Sequence, residues 1–315
     1  MKQFKNIFVF LQKMDQSEEA LIKRALLLAI RNKAEITFSA GTSSVPRNLE
    51  ELIQFKLGEN VVAIHKKSSR DKLELCVEPH IFDGQRIHYQ ILEGRPFIAV
   101  IKAVLERSFD LVMIEPEANE SVNRFFFGAT VMNLLRKCPC PVWVFKPALH
   151  GTYNRILAAI DTSTKRENEK KLNESIIEIS ETLAAREDAE LHVIHCWEGS
   201  GESVVRSNVP PHLASVIEEY TRHAQETARQ DFETVLQKSQ HGLDRKIHHF
   251  EHGIPGEIVP HLAYQHNIEL LIMGTLGRSG LKGLFIGNSA EKIIDAIECS
   301  VLALKPEGFK SPVHL

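Results

Sequence analysis

The chain repeats itself at a fixed interval, and this repeat restricts the folds open to it more than any other feature of the sequence. Three motifs recur 159 positions further along: a Gly-x-Pro turn, a single glycine, and a Lys-Pro pair after an apolar run. The paired positions are Gly94 and Gly253, Gly128 and Gly287, and Pro147 and Pro306. One constant offset through three separate motifs indicates that a single structural unit is encoded twice. The sequence therefore predicts two domains, 1–150 and 151–315.

Within each domain, short apolar segments alternate with longer amphipathic segments, which is typical of strands that alternate with helices. The strands are predicted at 5–11, 34–40, 87–92, 111–114 and 142–145, and again at 155–160, 189–196, 246–251, 270–273 and 301–304. This order predicts an α/β fold of two tandem doubly wound domains, each with a five-stranded parallel sheet flanked by helices. A ligand then binds at the carboxyl ends of the first and fourth strands, where the strand order reverses.

A glycine-rich loop joins the fourth strand of the second domain to the following helix. Glycines occur at positions 274, 277, 280, 283 and 287, and Asn288 and Ser289 then precede an amphipathic segment. Glycine lets the main chain approach an anion, and the start of a helix presents unpaired N–H groups to it. The spacing matches neither the Walker pattern nor the dinucleotide fingerprint. We interpret the loop as a phosphate or nucleotide site; the alternative is a plain connection between strand and helix.

The spacing of three of these glycines resembles that of a known family. The pattern Gly-x2-Gly-x9-Gly, from Gly274 through Gly277 to Gly287, is similar to that of the universal stress protein family. The ATP-binding members of that family carry Ser or Thr after the last glycine. Here Asn288 takes that position, and the hydroxyl follows one residue later, at Ser289. An asparagine is also able to cap a helix and to donate to an oxygen.

Further segments of the second domain share this resemblance. The strand at 155–160 is followed by Asp161-Thr-Ser, which looks like the end of the family's first strand. The run at 191–196 looks like its second strand, and 253–255 looks like its Gly-x-Pro turn into a helix. The likeness covers nearly the whole chain and is greatest to tandem, two-domain members. It implies that the two halves pack as a pseudo-dimer through their last strands, and it also allows a homodimer.

The resemblance implies a site for an adenine nucleotide in the second domain: ATP, with or without Mg²⁺. The residues implied are Asp161, Cys196, Met273, Gly274, Gly277, Arg278, Gly287, Asn288 and Ser289. The aspartate would contact the ribose or the phosphates, and the main chain at the cysteine would meet the adenine edge. The methionine and the first glycine would border the base and sugar, and the remaining residues would hold the phosphates. For Arg278 the alternative is a simply solvated side chain.

The first domain departs from the family pattern. The residues cognate to the first two glycines are Glu115 and Ala118, and Gln12 replaces the aspartate. A Cβ and a negative charge in the place of a phosphate oppose anion binding. We therefore expect no nucleotide in this domain and interpret it as a packing or partner-binding domain. The three phenylalanines at 125–127 are interpreted as core or interface residues.

Composition argues against several classes of function. A net charge of -3 and a pI of about 6.6 indicate no broad basic face, so nucleic acid is not expected as a partner. No run of 18 apolar residues occurs, so no membrane span is expected, and the first apolar segment lacks the cleavage site of a signal peptide. Five cysteines, an odd number, indicate reduced thiols and a cytoplasmic protein.

Two clusters invite metal or redox chemistry. Five histidines lie on or after two predicted neighbouring strands, which suggests zinc. However, His192 and His195 point to opposite faces of one strand, as do His248 and His249. Ordinary strand histidines are therefore favoured over a metal site. The Cys-Pro-Cys segment at 138–140 lacks the spacing of a redox or zinc pair, and a turn into the fifth strand is favoured.

Three classes of function are consistent with these observations. The leading hypothesis is a stress-response regulatory protein that binds ATP in its second domain, with at most slow hydrolysis or autophosphorylation. The alternative is a non-enzymatic interaction protein whose pocket holds another small molecule or is vestigial. An adenylating or hydrolytic enzyme is disfavoured, because no nucleophile and base can be paired from the sequence.

Overall fold

The computed structural model describes residues 4–42, 46–57, 60–117, 127–147, 152–164, 166–198, 214–238, 246–275 and 287–315. These residues form two compact units. The first unit contains the described residues up to Pro147 together with Phe309–Leu315, and the second contains those from Thr152 to Gly308.

The first unit is built on five parallel strands. They are β1 (Asn6–Leu11), β2 (Glu35–Thr42), β3 (Ile87–Glu93), β4 (Leu111–Ile114) and β5 (Val142–Val144). The helices are α1 (Glu19–Asn32), α2 (Arg47–Leu57), α3 (Val61–Val77), α4 (Pro96–Arg107) and α5 (Ala129–Lys137). The strand order is β3-β2-β1-β4-β5, so the order reverses between β1 and β4.

The second unit repeats this plan. Its strands are β6 (Arg155–Ile160), β7 (Glu190–Trp197), β8 (Lys246–His252), β9 (Leu270–Gly274) and β10 (Ser300–Leu304). The described helices are α6 (Glu167–Glu187), α7 (Ala214–Gln237), α8 (Pro255–Gln265) and α9 (Asn288–Ala296). The strand order is β10-β9-β6-β7-β8, with parallel pairings throughout. The predicted α/β class, with five parallel strands in each domain, is confirmed.

The central strands read as unbroken apolar runs because both faces of a parallel sheet are covered. All four residues of β4 are buried, as are the first four of β9. The edge strands β3 and β8 are more exposed and carry the polar residues. The apolar pattern therefore indicates where each strand lies in its sheet as well as its secondary structure.

The recurring Gly-x-Pro motif turns the chain from the edge strand into a helix in both units. Gly94 and Gly253 have φ angles of 90° and 130°, a region that favours glycine because it lacks a Cβ. Pro96 and Pro255 are the first residues of α4 and α8, where the missing N–H of proline leaves no hydrogen bond unmade. The two-residue spacing is therefore required by the local backbone geometry of this turn.

Other expectations are met where the chain is described. Of the three phenylalanines at 125–127, Phe127 is buried, and the other two lie outside the described residues. All five cysteines are free thiols. No helix in the described part of the chain combines the length and the apolar character needed to cross a membrane.

Candidate functional site

The strand order of the second unit reverses between β6 and β9, and two of the predicted site residues, Asp161 and Gly274, lie there. Ala159 pairs with Met273, so the next residues along, Ile160 and Gly274, end their strands side by side. Asp161 follows directly and is exposed. The structure thus brings the aspartate and the first glycine of the loop to adjacent strand ends, as predicted from the sequence.

The main chain at Asp161 is held by an asparagine from α6. Its N–H donates to Oδ1 of Asn173 at 3.2 Å, and Nδ2 of Asn173 donates back to its carbonyl at 2.7 Å. The Asp161 carboxylate accepts hydrogen bonds from the N–H and the hydroxyl of Ser163. The side chain is therefore oriented within its own turn, and the residue is exposed.

A buried histidine contacts the same turn through hydrogen bonds. His195 is 1% exposed, and its Nδ1 lies 3.3 Å from the carbonyl of Ile160. Because a carbonyl only accepts, Nδ1 carries the proton, and in the neutral ring Nε2 accepts from the Thr162 hydroxyl at 3.1 Å. The ring also stacks on Phe232 of α7, with ring centroids 5.8 Å apart. The position of His195 is explained by these contacts and leaves no ring nitrogen for a metal.

Cys196 lies near the end of β7, and its thiol is unreactive. Burial raises the pKa of its thiol to about 12, and the charges of Glu251 and Asp161 add to the effect. The thiol is therefore protonated at physiological pH and is neither a nucleophile nor a metal ligand in this state. This agrees with the role predicted for the residue, which uses only its main chain.

Gly274 packs closely against side chains of α6. A Cβ at this position would lie 2.8 Å from Cδ2 of Leu172, closer than real Cβ contacts come. Ile176 lies behind it, 3.9 Å from the same point. The space that a side chain would occupy is thus filled by the protein itself. The first glycine of the loop has a structural reason that does not depend on a ligand.

Thr275, which follows that glycine, ties the two ends of the loop together. It is fully buried, and its N–H donates to the carbonyl of Leu304 at 3.2 Å. Its own carbonyl accepts from the N–H of Gly287 at 3.2 Å. The ammonium of Lys305 donates to the Thr275 hydroxyl at 2.5 Å, which brings a positive charge to the base of the loop. Sequence reasoning missed both residues, although the recurring Lys-Pro pair included this lysine.

The start of α9 differs from the prediction in one respect. Asn288 was expected to cap the helix, but Gly287 occupies the cap position, and Asn288 and Ser289 are the first two helical residues. The cap carbonyl accepts from the N–H of Glu291 at 2.9 Å, which begins the helical ladder one residue earlier than expected. Both Asn288 and Ser289 are exposed. The first turn of a helix has N–H groups without a partner inside the helix, and here two of its residues are exposed.

Two predicted phosphate-binding residues cannot be placed. Gly277 and Arg278 lie outside the described residues. The described part of the site is consequently the two ends of the loop, the start of α9, and the turn after β6.

The first unit places its own side chains in the cognate crevice. The carboxylate of Glu18, which is 1% exposed, accepts from the N–H groups of Gln12, Lys13 and Met14 at 2.7–3.0 Å. Burial raises the pKa of this carboxyl. In the second unit a neutral amide, that of Asn173, holds the corresponding turn. The loop after β1 is thus already occupied by an acidic group of the chain.

The residues that replace the aspartate and the first glycine bridge this crevice. Nε2 of Gln12 donates to the carbonyl of Glu115 at 2.8 Å, which joins the ends of β1 and β4. Burial raises the pKa of the Glu115 carboxyl to about 7, with Glu18 adding to the shift by its charge. The sequence interpretation treated Glu115 as a full negative charge. Instead, it is partly protonated near neutral pH, because its carboxyl is desolvated.

A third acidic side chain lies at the start of α5. The atoms of the Glu117 carboxyl group lie 2.0–2.4 Å from the point where a Cβ of Gly128 would be. Gly128 is the cap residue of α5 and is cognate to Gly287. An acidic side chain of the protein therefore lies at the helix start, the position where the second unit presents an exposed helix turn.

The histidines of the second unit separate onto two faces, as predicted. His192 stacks with His249 on one face of the sheet, whereas His195 and His248 contact Phe232 on the other. Among the described residues, no group of three histidine, cysteine or acidic side chains has the arrangement of a metal site.

Comparison with known proteins agrees with the internal repeat. The model of the universal stress protein family matches residues 3–146 and again 152–305. Universal stress protein E of Photorhabdus laumondii is 23% identical over 316 residues, which cover 99% of this chain and 98% of the relative. Universal stress protein E of Salmonella typhi is 30% identical over 232 residues, covering 71% of this chain and 70% of the relative.

A solved structure shows the same fold over the whole length. A universal stress protein structure from Pseudomonas aeruginosa UCBPP-PA14 aligns with a TM-score of 0.69 and 21% identity. The alignment covers 97% of this chain and 95% of the other.

Proposed function

Because the chain belongs to the universal stress protein family, we propose that its carboxyl-terminal domain, 151–315, binds an adenine nucleotide, ATP, as a regulatory ligand in a stress response. The observation that carries the proposal is the difference between two cognate crevices. The helix start of the second unit has the exposed residues Asn288 and Ser289. The first unit has the Glu117 carboxylate at the same place. The cognate lysines Lys146 and Lys305 are common to both units, so the carboxylate is the difference, and it disfavours an anion in the first crevice.

The residues fit such a ligand by their chemistry. In the proposal, the exposed carboxylate of Asp161 serves a ribose hydroxyl, or Mg²⁺ if the metal accompanies the nucleotide. The main chain at Cys196 meets the adenine edge, and Met273 and Gly274 border the base and sugar. The phosphates lie against Gly277, Arg278, Gly287, Asn288 and Ser289. Binding alone is required, without turnover, and the cytoplasm is the proposed location.

The first domain, 1–150, is proposed to bind no nucleotide. The Glu18 carboxylate already accepts hydrogen bonds from the N–H groups after β1. The hydrogen bond from Gln12 to Glu115 spans the ends of β1 and β4. A phosphate would have to displace one acidic group and approach two others, which opposes binding. This domain serves packing or a protein partner in the proposal.

A second candidate function is an interaction protein with a vestigial pocket. The observation that favours it is the contact between Gly274 and Leu172. Because this glycine packs closely against the Leu172 side chain, its presence has an explanation that needs no ligand.

The test is to identify the bound ligand directly. The full chain is purified without added nucleotide and denatured, and any released small molecule is identified by mass spectrometry. ATP affinity of the emptied protein is then measured by calorimetry. An adenine nucleotide near one per chain, or ATP binding at one site, supports the proposal. The absence of both overturns it in favour of the interaction protein.

A pair of variants locates the site. Asp161→Ala removes the carboxylate but keeps both main-chain hydrogen bonds to Asn173, so we expect a folded protein with at least about tenfold weaker ATP binding, the loss of a hydrogen bond to a charged group. Gln12→Ala is the matched control at the cognate position and is expected to leave affinity unchanged. The reverse result would place the nucleotide in the first domain.

A further inference from the structure

Three histidines of the second unit form a compact cluster outside the proposed nucleotide site. We call His192 of β7, His249 of β8 and His266, which follows α8, the histidine triangle. Their ring centroids are 4.9–5.2 Å apart in all three pairs. His192 is fully buried, whereas His249 and His266 are partly exposed. The cluster thus connects the edge strand β8, its neighbour β7 and the end of α8.

The hydrogen bonds within the cluster define where the protons are. Nε2 of His192 lies 2.8 Å from Oε1 of Glu190, and a carboxylate only accepts, so Nε2 carries a proton. In the neutral ring Nδ1 of His192 must then accept, and it lies 2.9 Å from Nε2 of His249, which donates. The chain of donors runs from His249 through His192 to Glu190. It requires the imidazole of His192 to be neutral.

Protonation of both rings breaks this arrangement. Nδ1 of His192 and Nε2 of His249 then both carry hydrogens at hydrogen-bond distance, and two donors cannot bond to each other. A single proton on His249 keeps the hydrogen bond but puts a cation within contact of two other rings. Glu190 offsets only part of this charge, because its side chain is partly exposed and belongs to one side of the cluster.

The charged and titratable neighbours reinforce this effect. They are Glu190 on β7, Arg155 on β6, Lys246 and His248 on β8, and Glu269 before β9. Arg155 opposes a positive charge on His192, and His248 opposes one on His249. Glu269 accepts from the N–H of Arg155, and Lys246 pairs with the buried Glu181. Arg155 and the neighbouring imidazoles thus oppose a positive charge on the two rings, and Glu190 favours one on His192.

We propose that the histidine triangle is an acid-sensitive latch that fastens the edge strand β8 to β7 and to the end of α8. The latch is closed while His192 and His249 are neutral, and protonation of both rings opens it. β8 lies at the end of this unit's strand order and pairs with β7. Among the strands that the structure describes in this unit, β8 has no second neighbour to hold it when the latch opens.

The pKa shifts agree in direction with this geometry. Burial lowers the pKa of His192, and burial together with His192 and His266 lowers the pKa of His249 to about 4. A histidine in the unfolded chain titrates near 6.5, so the unfolded state takes up these protons first. The stability that the pair contributes is complete above about pH 6.5 and is lost as the pH falls from there toward 4.

The experiment measures unfolding of the second unit alone. The two tryptophans of the chain are Trp143 and Trp197, one in each unit. In a Trp143→Phe background, fluorescence therefore reports the urea unfolding of the second unit. The midpoint and slope are compared at pH 7.5 and 5.5 for this protein and for His249→Phe, which keeps a ring but cannot titrate. His261→Gln, an exposed histidine of α8, is the matched control.

The expected result is a loss of pH dependence in one variant only. Each histidine that stays neutral in the folded state makes unfolding about tenfold more favourable between pH 7.5 and 5.5. His249→Phe should remove at least that factor, and His261→Gln should remove none. Equal pH dependence in all three proteins overturns the proposal.

A second measurement needs no variant that might fail to fold. Titration of the histidine ring protons of the unaltered chain by NMR reports the two pKa values directly, and hydrogen exchange at pH 5.5, corrected for the intrinsic rate, reports opening of β8. Midpoints below 6 and faster exchange in β8 than in β6 support the latch. Midpoints near 6.5, or uniform exchange across the sheet, overturn it.

Discussion

Leu172 on α6 occupies the space beside Gly274 at the end of β9, so that a Cβ on the glycine would lie 2.8 Å from the leucine Cδ2. The two residues are far apart in sequence, and one of them begins the glycine-rich loop. The contact brings α6 onto the strand end from which the loop departs. It shows that a glycine in a ligand-binding pattern also serves the packing of the domain.

We expect Gly274→Ala to lower the free energy of unfolding of the second unit by about 1–3 kcal/mol, because the added methyl overpacks a filled space. Urea unfolding followed at Trp197 measures the change. Gly41→Ala is the control, since a Cβ there would meet only Phe10 at an ordinary 3.7 Å. In Leu172→Ala the space is empty, so adding Gly274→Ala should cost less there than in the unaltered chain. Equal costs in both backgrounds would show that the two residues do not couple.

Asn173→Ala should destabilise the turn after β6. It removes both hydrogen bonds to the main chain of Asp161 and leaves a part-buried N–H and carbonyl without them. The expected cost is about 1–3 kcal/mol, measured by urea unfolding, with weaker ATP binding because the aspartate is no longer oriented. Asn133→Ala on the exposed surface of α5 serves as the comparison. A variant as stable as the unaltered chain would show that the turn does not depend on the hydrogen bonds of Asn173.

Cys196 should resist alkylation in the folded protein. Its pKa of about 12, against an ordinary 9.0, lowers the thiolate fraction about a thousandfold at pH 8.5. Iodoacetamide labelling, with the modified peptide identified by mass spectrometry, should be slow in buffer and fast in urea. Folding favours the protonated thiol. The stability that this thiol contributes is therefore present below pH 9.0 and is lost as the pH rises toward 12. Rapid labelling of the folded chain would contradict the burial of this thiol.

Glu115→Gln should stabilise the first unit in a pH-dependent manner. Folding raises the pKa of this carboxyl from 4.5 to about 7, so its contribution is most favourable below pH 4.5 and is lost as the pH rises through 7. The variant should therefore gain stability at pH 8 and little at pH 4.5, as measured by unfolding at Trp143. Glu117→Gln, the exposed neighbour, is the control. A gain that is the same at both pH values would exclude ionisation as the cause.

Much of the fold could be predicted because its signals are local. The apolar runs at 111–114 and 270–273 are buried strands, and the Gly-x-Pro turns at 94–96 and 253–255 follow from the backbone angles that only glycine and proline supply easily. The meeting of Asp161 with Gly274 also followed, because strand order in an alternating fold decides which strand ends are adjacent.

Part of the candidate site could not be predicted because it depends on distant contacts. Thr275 and Lys305 belong to no recognised binding motif, yet together they join the loop to the last strand. The cap of α9 was misassigned to Asn288, since Gly287 and Asn288 are both acceptable cap residues and only the backbone distinguishes them. The charge of Glu115 was overestimated because burial is not visible in a sequence.

The sequence by itself determined the duplicated α/β plan, the place of the strands and the meeting of Asp161 with Gly274 at adjacent strand ends. It did so because the repeat, the apolar periodicity and the glycine and proline turns act over a few residues. Only the tertiary structure decided that Leu172 fills the space beside Gly274, that Glu117 lies at one helix start, and that His192 bonds to His249. These relationships join residues distant in sequence, and their energies depend on packing and desolvation, which exist only once the chain is folded.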